Sequence, residues 1–145
     1  MDLLRHSSCG MESDIPSFDH YTLAVTDLKA SLNFYCGILG LSLLPRPDFD
    51  FEGAWVSIGK GLALHLITGA DIQPPEGGSR ALHFAFGVSE IHVFRSHLLA
   101  CGVAIPKDIK PRPDGALQMF VRDPDGYWIE IVSRPTNKSS IDKLS

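Results

Sequence analysis

The chain has 145 residues, of which 44% are hydrophobic and 21% charged, enough to build one packed core. Its 17 acidic and 13 basic side chains leave a formal net charge of −4, which argues against nucleic acid or an anionic membrane as partner. No apolar run approaches the ~20 residues that span a bilayer, so a soluble, cytoplasmic protein is expected.

Residues 1–16 carry Asp2, Glu12 and Asp14 around a single apolar pair, Leu3-Leu4, so they lack the hydrophobic region of a secretory signal and read as a flexible tail. A β-rich run follows from Phe18 to Val25, in which Phe18, His20, Thr22 and Ala24 share one face and Tyr21, Leu23 and Val25 the other. Thr26 or Asp27 then caps a helix predicted from the spacing of Leu28, Leu32, Tyr35 and Leu39, and Gly40 ends it. Three extended segments come next, with Ala63, His65 and Ile67 opposite Leu62, Leu64 and Leu66 in the last. Pro74-Pro75-Glu76-Gly77-Gly78 reads as a linker.

The same order then returns. Ala81 to Val88 is a strand with Ala81, His83 and Ala85 opposite Leu82, Phe84 and Phe86. Ser89 or Glu90 caps a second helix carrying Ile91, Phe94, Leu98 and Leu99 at helical spacing, closed by Gly102. Asp123-Pro124-Asp125-Gly126 is a tight turn before a last strand in which Trp128, Glu130 and Val132 lie opposite Ile129 and Ile131. Of the three cysteines, Cys36 and Cys101 fall in apolar helical patterns and are expected to be buried thiols in a reducing compartment, with Cys9 loose in the tail.

Four markers support a duplication with a period of 62 to 66 residues. His20 and His83 are 63 apart, His65 and Glu130 are 65 apart, the tetrapeptide Pro-Arg-Pro-Asp recurs at 45 and 111, and Gly53-Ala54 recurs as Gly115-Ala116. A single histidine in an apolar strand is most often a hydrogen-bonded interior residue. Four ligand-type residues, two per copy and all on the face away from the helices, instead point to a metal site of His20, His65, His83 and Glu130. His6, in the tail, and His92 and His97, on the second helix, do not share that phase.

The paired strand-helix-three-strand modules, the Phe34-to-Leu41 stretch FYCGILGL and the Arg122-to-Val132 segment RDPDGYWIEIV resemble the vicinal oxygen chelate superfamily. That group contains glyoxalase I, methylmalonyl-CoA epimerase, fosfomycin- and bleomycin-resistance proteins and extradiol dioxygenases. The resemblance implies an α+β fold in which two βαβββ modules, 17–73 and 79–135, form a cup of two four-stranded mixed sheets with helices on the outer faces, followed by a tail over 136–145. It also implies one divalent metal ion per site (zinc, nickel, iron, cobalt or manganese) held by His20, His65, His83 and Glu130. A homodimer that completes the cup between subunits is the natural expectation.

On such a platform the cation takes two neighbouring oxygens of a small substrate. Three imidazoles and one carboxylate would leave about two open positions on an octahedral ion, which suits a chelated enediolate better than a catechol plus dioxygen. The expected function is therefore a glyoxalase I-like, lactoylglutathione lyase-type isomerase on an α-oxo substrate, with Glu130 as ligand and proton-transferring base. The alternatives are an epimerase, an extradiol dioxygenase, or a bleomycin-resistance-like binding protein. His65 stands where most glyoxalase I sequences carry a carboxylate. Ala24 and Gly69 replace an arginine and an asparagine often used to grip glutathione, which counts against that thiol.

Trp55, Ser57 and, from the second copy, Met119 are the candidate substrate contacts. Residues Phe49 to Glu52, absent from the second copy by the Gly-Ala alignment, suggest a loop at the rim of the cup. Arg46 and Arg112 could meet an anionic substrate, but their flanking prolines favour solvated turn residues.

Overall fold

The computed structural model describes residues 17–69, 71 and 76–135. The expected tails, with His6 and Cys9, and Pro74-Pro75 of the linker lie outside them. In chain order the elements are β1 (His20–Ala24), α1 (Leu28–Leu32) running on as π-helical turns over Asn33–Ile38, β2 (Ser42–Leu44), β3 (Gly53–Gly59), β4 (Leu62–Ile67), β5 (Phe84–Gly87), α2 (Ile91–Ala100), β6 (Lys107–Pro111), β7 (Leu117–Arg122) and β8 (Trp128–Ser133). They form two four-stranded mixed sheets of identical order, β1-β4-β3-β2 and β5-β8-β7-β6, in which the first strand runs parallel to the fourth. This is the α+β architecture of two βαβββ modules.

The helix signals act locally as their chemistry requires. The Asp27 side chain accepts from the Ala30 amide at 3.1 Å, so Asp27 is the cap, while Thr26 is engaged elsewhere. The amide of Leu39 bonds the carbonyl of Phe34, five residues back, which widens the last turns of the first helix. Gly40 and Gly102 both take φ +77, the left-handed exit that a side chain would resist.

One apolar core joins the modules. Leu23, Val25, Val56, Leu64 and Leu66 of the first sheet meet Met119, Val121, Ile129 and Ile131 of the second, with Phe34, Tyr35, Ile91 and Leu98 supplied by the helices. Each of these, fully buried, is worth roughly 1.5–3 kcal/mol of transfer free energy before entropy is counted. Polar ties cross between the modules as well. The Tyr35 hydroxyl donates to Asp123 at 2.8 Å, Thr26 donates its amide and hydroxyl to Asp125, and the Tyr127 hydroxyl donates to the Ala24 carbonyl at 2.8 Å. The Asp-Pro-Asp-Gly turn between β7 and β8 thus grips the end of β1 and the start of α1.

Strand pairing corrects two readings. Trp55 pairs with His65 and Phe120 with Glu130, so the internal register of the repeat is 65 residues and the counterpart of Trp55 is Phe120. The Gly-Ala recurrence is out of register: Gly53 opens β3, whereas Gly115 sits in a turn before β7. Met119, placed by that misalignment among the substrate contacts, pairs with Ile131 and is 0% exposed in the core. Cys101, expected to be buried, is exposed at the end of α2, and Cys36 is partly buried. Among the described residues no helix is long and apolar enough to cross a membrane.

Candidate metal centre

The repeated topology puts ligand-type side chains at matching places. In the first sheet His20 opens β1 beside Ala63, two residues before His65 on the neighbouring β4, so both rings project from one face. Those rings stack with centroids 4.0 Å apart and planes 10° from parallel. In the second sheet His83 lies one residue before β5, and Ala85 two residues on pairs with Glu130 of β8. The His83 Nε2 is 3.3 Å from Glu130 Oε2.

The structure therefore makes two pairs. His20 and His65 line one cavity, of about 650 Å³, and His83 and Glu130 line another, of about 590 Å³, with no residue in common. Among the described residues of the single chain no three metal-ligating side chains come together.

Each pair nevertheless has the chemistry of half a metal site. The Nδ1 of His20 bonds Asp19 Oδ2 at 2.6 Å and the Nδ1 of His83 donates to the Ser79 carbonyl, arrangements that keep the proton on Nδ1 and present the Nε2 lone pair. Burial first, and the neighbouring His20 second, hold His65 below the ordinary histidine range and so favour its neutral, ligating form. Donors 3.3 Å apart, as in His83 and Glu130, have the spacing of adjacent ligands on a cation with bonds of about 2.0–2.2 Å. A mixed imidazole and carboxylate set suits a borderline divalent ion.

Two arginines that read as solvated turn residues are instead built into the half-sites. Arg112 Nη1 reaches Glu130 Oε1 at 3.2 Å while its other nitrogens hold Asp114, whose carboxyl it keeps below the usual carboxylate range. Glu130 is only 7% exposed, and this bond leaves Oε2 facing His83. Arg46, from the equivalent tetrapeptide, lies over the rings of Phe49 and Phe51 at 4.7 and 4.9 Å and donates to the Phe51 carbonyl at 3.0 Å. The recurrence of Pro-Arg-Pro-Asp was the available signal for both residues, and proline flanks alone misread it.

Trp55 stacks on His65 with centroids 4.3 Å apart and planes 6° from parallel, facing the cavity. Ser57 shares its face by alternation, but its hydroxyl accepts from the Gly59 amide at 3.3 Å and does not line the cavity. His92 and His97 stay on α2, where His97 Nε2 bonds the Ile38 carbonyl at 2.8 Å. Ser79, 1% exposed, was not anticipated: it receives Lys107 Nζ at 2.7 Å and offers its carbonyl to His83, and a serine before a strand carries no sequence signal for that role.

The profile of the Glyoxalase/Bleomycin resistance protein/Dioxygenase superfamily matches residues 17–131, both modules and both half-sites. The chain belongs to this superfamily. A Synechocystis sp. protein named "Probable lactoylglutathione lyase" is 32% identical over 126 residues, 82% of this chain and 96% of its own length. The lactoylglutathione lyase of Haemophilus influenzae is 30% identical over 129 residues, 84% of this chain and 96% of the enzyme. Among solved structures, a glyoxalase-family protein from Bacillus anthracis superposes with a TM-score of 0.73 at 25% identity, covering 86% of this chain and all of its own. The chain is thus a glyoxalase I-like member of the superfamily over nearly all the length that the structure describes.

Proposed function

We propose that the protein is a divalent-metal-dependent isomerase of the lactoylglutathione lyase type, acting on a small α-oxo substrate. The single observation that carries this reading is the division of the donors into His20 with His65 and His83 with Glu130, each pair prepared for ligation and neither sufficient alone. Two copies of the chain, each contributing its first-module pair to the other's second-module pair, would complete two sites of four donors related by a two-fold axis. In this reading one domain over 17–135 works as a cytoplasmic homodimer, and Cys36 and Cys101, unpaired among the described residues, fit the reducing compartment.

When bound, the cation supplies stabilisation of negative charge on two adjacent substrate oxygens. The protein's own part is proton transfer and placement. Glu130 is the carboxylate that would take a proton from the carbon beside the carbonyl and return it to the neighbouring carbon. Arg112 holds Oε1 and so fixes the direction in which Oε2 points. Trp55 and Phe120, opposite the two ligand strands in the paired register, wall the site and exclude water from it.

Departures at Ala24 and Gly69 stand against glutathione itself as carrier, so hemithioacetals of other thiols belong in the assay beside it. Full-length protein loaded in turn with nickel, zinc, cobalt and manganese is expected to isomerise a methylglyoxal hemithioacetal, and Glu130→Gln to lower kcat by at least about 10²-fold, the low end of general-base contributions. Absence of turnover with all four metals would overturn the reading. Oxygen uptake with iron, or solvent deuterium exchange without isomerisation, would redirect it to a dioxygenase or an epimerase.

A further inference from the structure

The two half-cups differ in chemistry, and the difference bears on the substrate. Residues 45–52, between β2 and β3, leave strand pairing and carry Phe49 and Phe51 over the first cavity. Phe49 lies 5.2 Å from Phe51 and 6.1 Å from Trp55, which stacks on His65, so the rings form one continuous wall ending at a ligand. Phe49 and Phe51 are 43% and 44% exposed, an unusual state for aromatics that Arg46 holds in place from the loop's own base. The second cavity is lined by a single ring, Phe120, because β6 and β7 close through a tight turn, in which the Arg112 amide bonds the Ala116 carbonyl at 2.7 Å, with no loop to carry others.

The second cavity is cationic instead. Arg80, Lys107, Lys110 and Arg112 line it against Asp108 and Glu130. Asp108 is neutralised by two 2.7 Å bonds from Arg95, and Glu130 shares the Arg112 charge with Asp114. Lys107 is committed to Ser79, whereas Arg80 and Lys110 pair with no carboxylate among the described residues.

Resting on the two-chain site proposed above, we infer that the substrate is an amphipathic anion: an aromatic α-oxo compound whose ring stacks on Phe49, Phe51 and Trp55 of one subunit, and whose carboxylate is held by Lys110 and Arg80 of the other. Stacking selects the ring because an aliphatic group of similar length offers no face to three aromatic side chains. The cations select the acid and draw it in over a distance that salt shortens.

Three small probes that cannot isomerise separate these contributions by titration calorimetry on the zinc-loaded full chain. Phenylglyoxylate carries both ring and acid, pyruvate lacks the ring, and 1-phenylpropane-1,2-dione lacks the acid while keeping two adjacent oxygens for the metal. Phenylglyoxylate is expected to bind at least about tenfold more tightly than either, with an affinity that falls as salt is raised. Phe49→Ala with Phe51→Ala should cut its advantage over pyruvate to what Trp55 alone supplies, and Arg80→Ala with Lys110→Ala should remove its advantage over the dione; all four side chains are exposed, so folding is spared. Equal affinity for phenylglyoxylate and pyruvate, indifference to the paired variants, or no binding of any probe overturns the inference. Turnover of methylglyoxal adducts without this preference would sink the substrate class alone, and the preference without any turnover would sink the isomerase alone.

Discussion

Asp123 shows how a residue can belong to the most distinctive stretch of a sequence and still serve the fold alone. It is 5% exposed, accepts from the Tyr35 hydroxyl and from the amides of Asp125 and Tyr127, and lies in the turn that grips the other module. Burial pushes its carboxyl above the ordinary value, while those three donors pull it back. A carboxyl that binds its proton more readily folded than unfolded contributes stability that is fully present below the unfolded value and declines as pH rises to the folded one. Tyr35→Phe removes a donor to the charged form, so its cost in urea denaturation should be about 1–3 kcal/mol near pH 7 and smaller near pH 4. A cost independent of pH would show that the bond does not favour the carboxylate. Glu130, seven residues on, is the contrasting case, since its two oxygens are divided between Arg112 and His83 and the proposed isomerisation would use it as base.

At the level of elements, the helix ends were legible because glycine chemistry is local. Gly40 and Gly102 exit their helices at φ +77, where an L side chain costs on the order of 1–2 kcal/mol. Gly40→Ala and Gly102→Ala should each lower stability by about that amount, read from denaturant midpoints at unchanged slope, and their effects should add because the two sites are in different modules. Neither has another heavy atom within 4 Å of an added Cβ, so any loss reports backbone strain and not a clash. Alternation likewise told which strand faces carry His20, His65, His83 and Glu130, because the period of two holds wherever a strand forms. It could not find Met119's true face. Which residue of β7 lies opposite Glu130 is set by pairing with β8, and a loop of altered length between β2 and β3 shifts any alignment made by dipeptides.

For the whole molecule, the decisive observation is that the two candidate donor pairs of one chain lie in separate cavities. A site shared between two subunits predicts complementation. Mixing unfolded His20→Ala and Glu130→Gln chains and refolding them together should give mixed dimers with one intact and one doubly altered site. Activity should return to on the order of a quarter of the wild-type value, from half the dimers with half their sites each. Metal analysis should follow the same fraction. If activity fails to return while the parent protein is active, the cup closes within one chain.

The sequence by itself determined what depends on near neighbours along the chain: helix caps and exits, strand phase, the duplication, and hence the superfamily and the identity of the ligand-type residues. Only the tertiary structure decided what depends on pairing between distant segments. It set the register that puts Trp55 and Phe120 opposite His65 and Glu130, brought Arg112 from a turn onto Glu130, and kept His20 with His65 apart from His83 with Glu130. The physical reason is that a side chain's direction follows from backbone geometry within a few residues, whereas its partner is chosen by strands that pair across 43 or 45 positions and by side-chain bonds that cross 99 or 103.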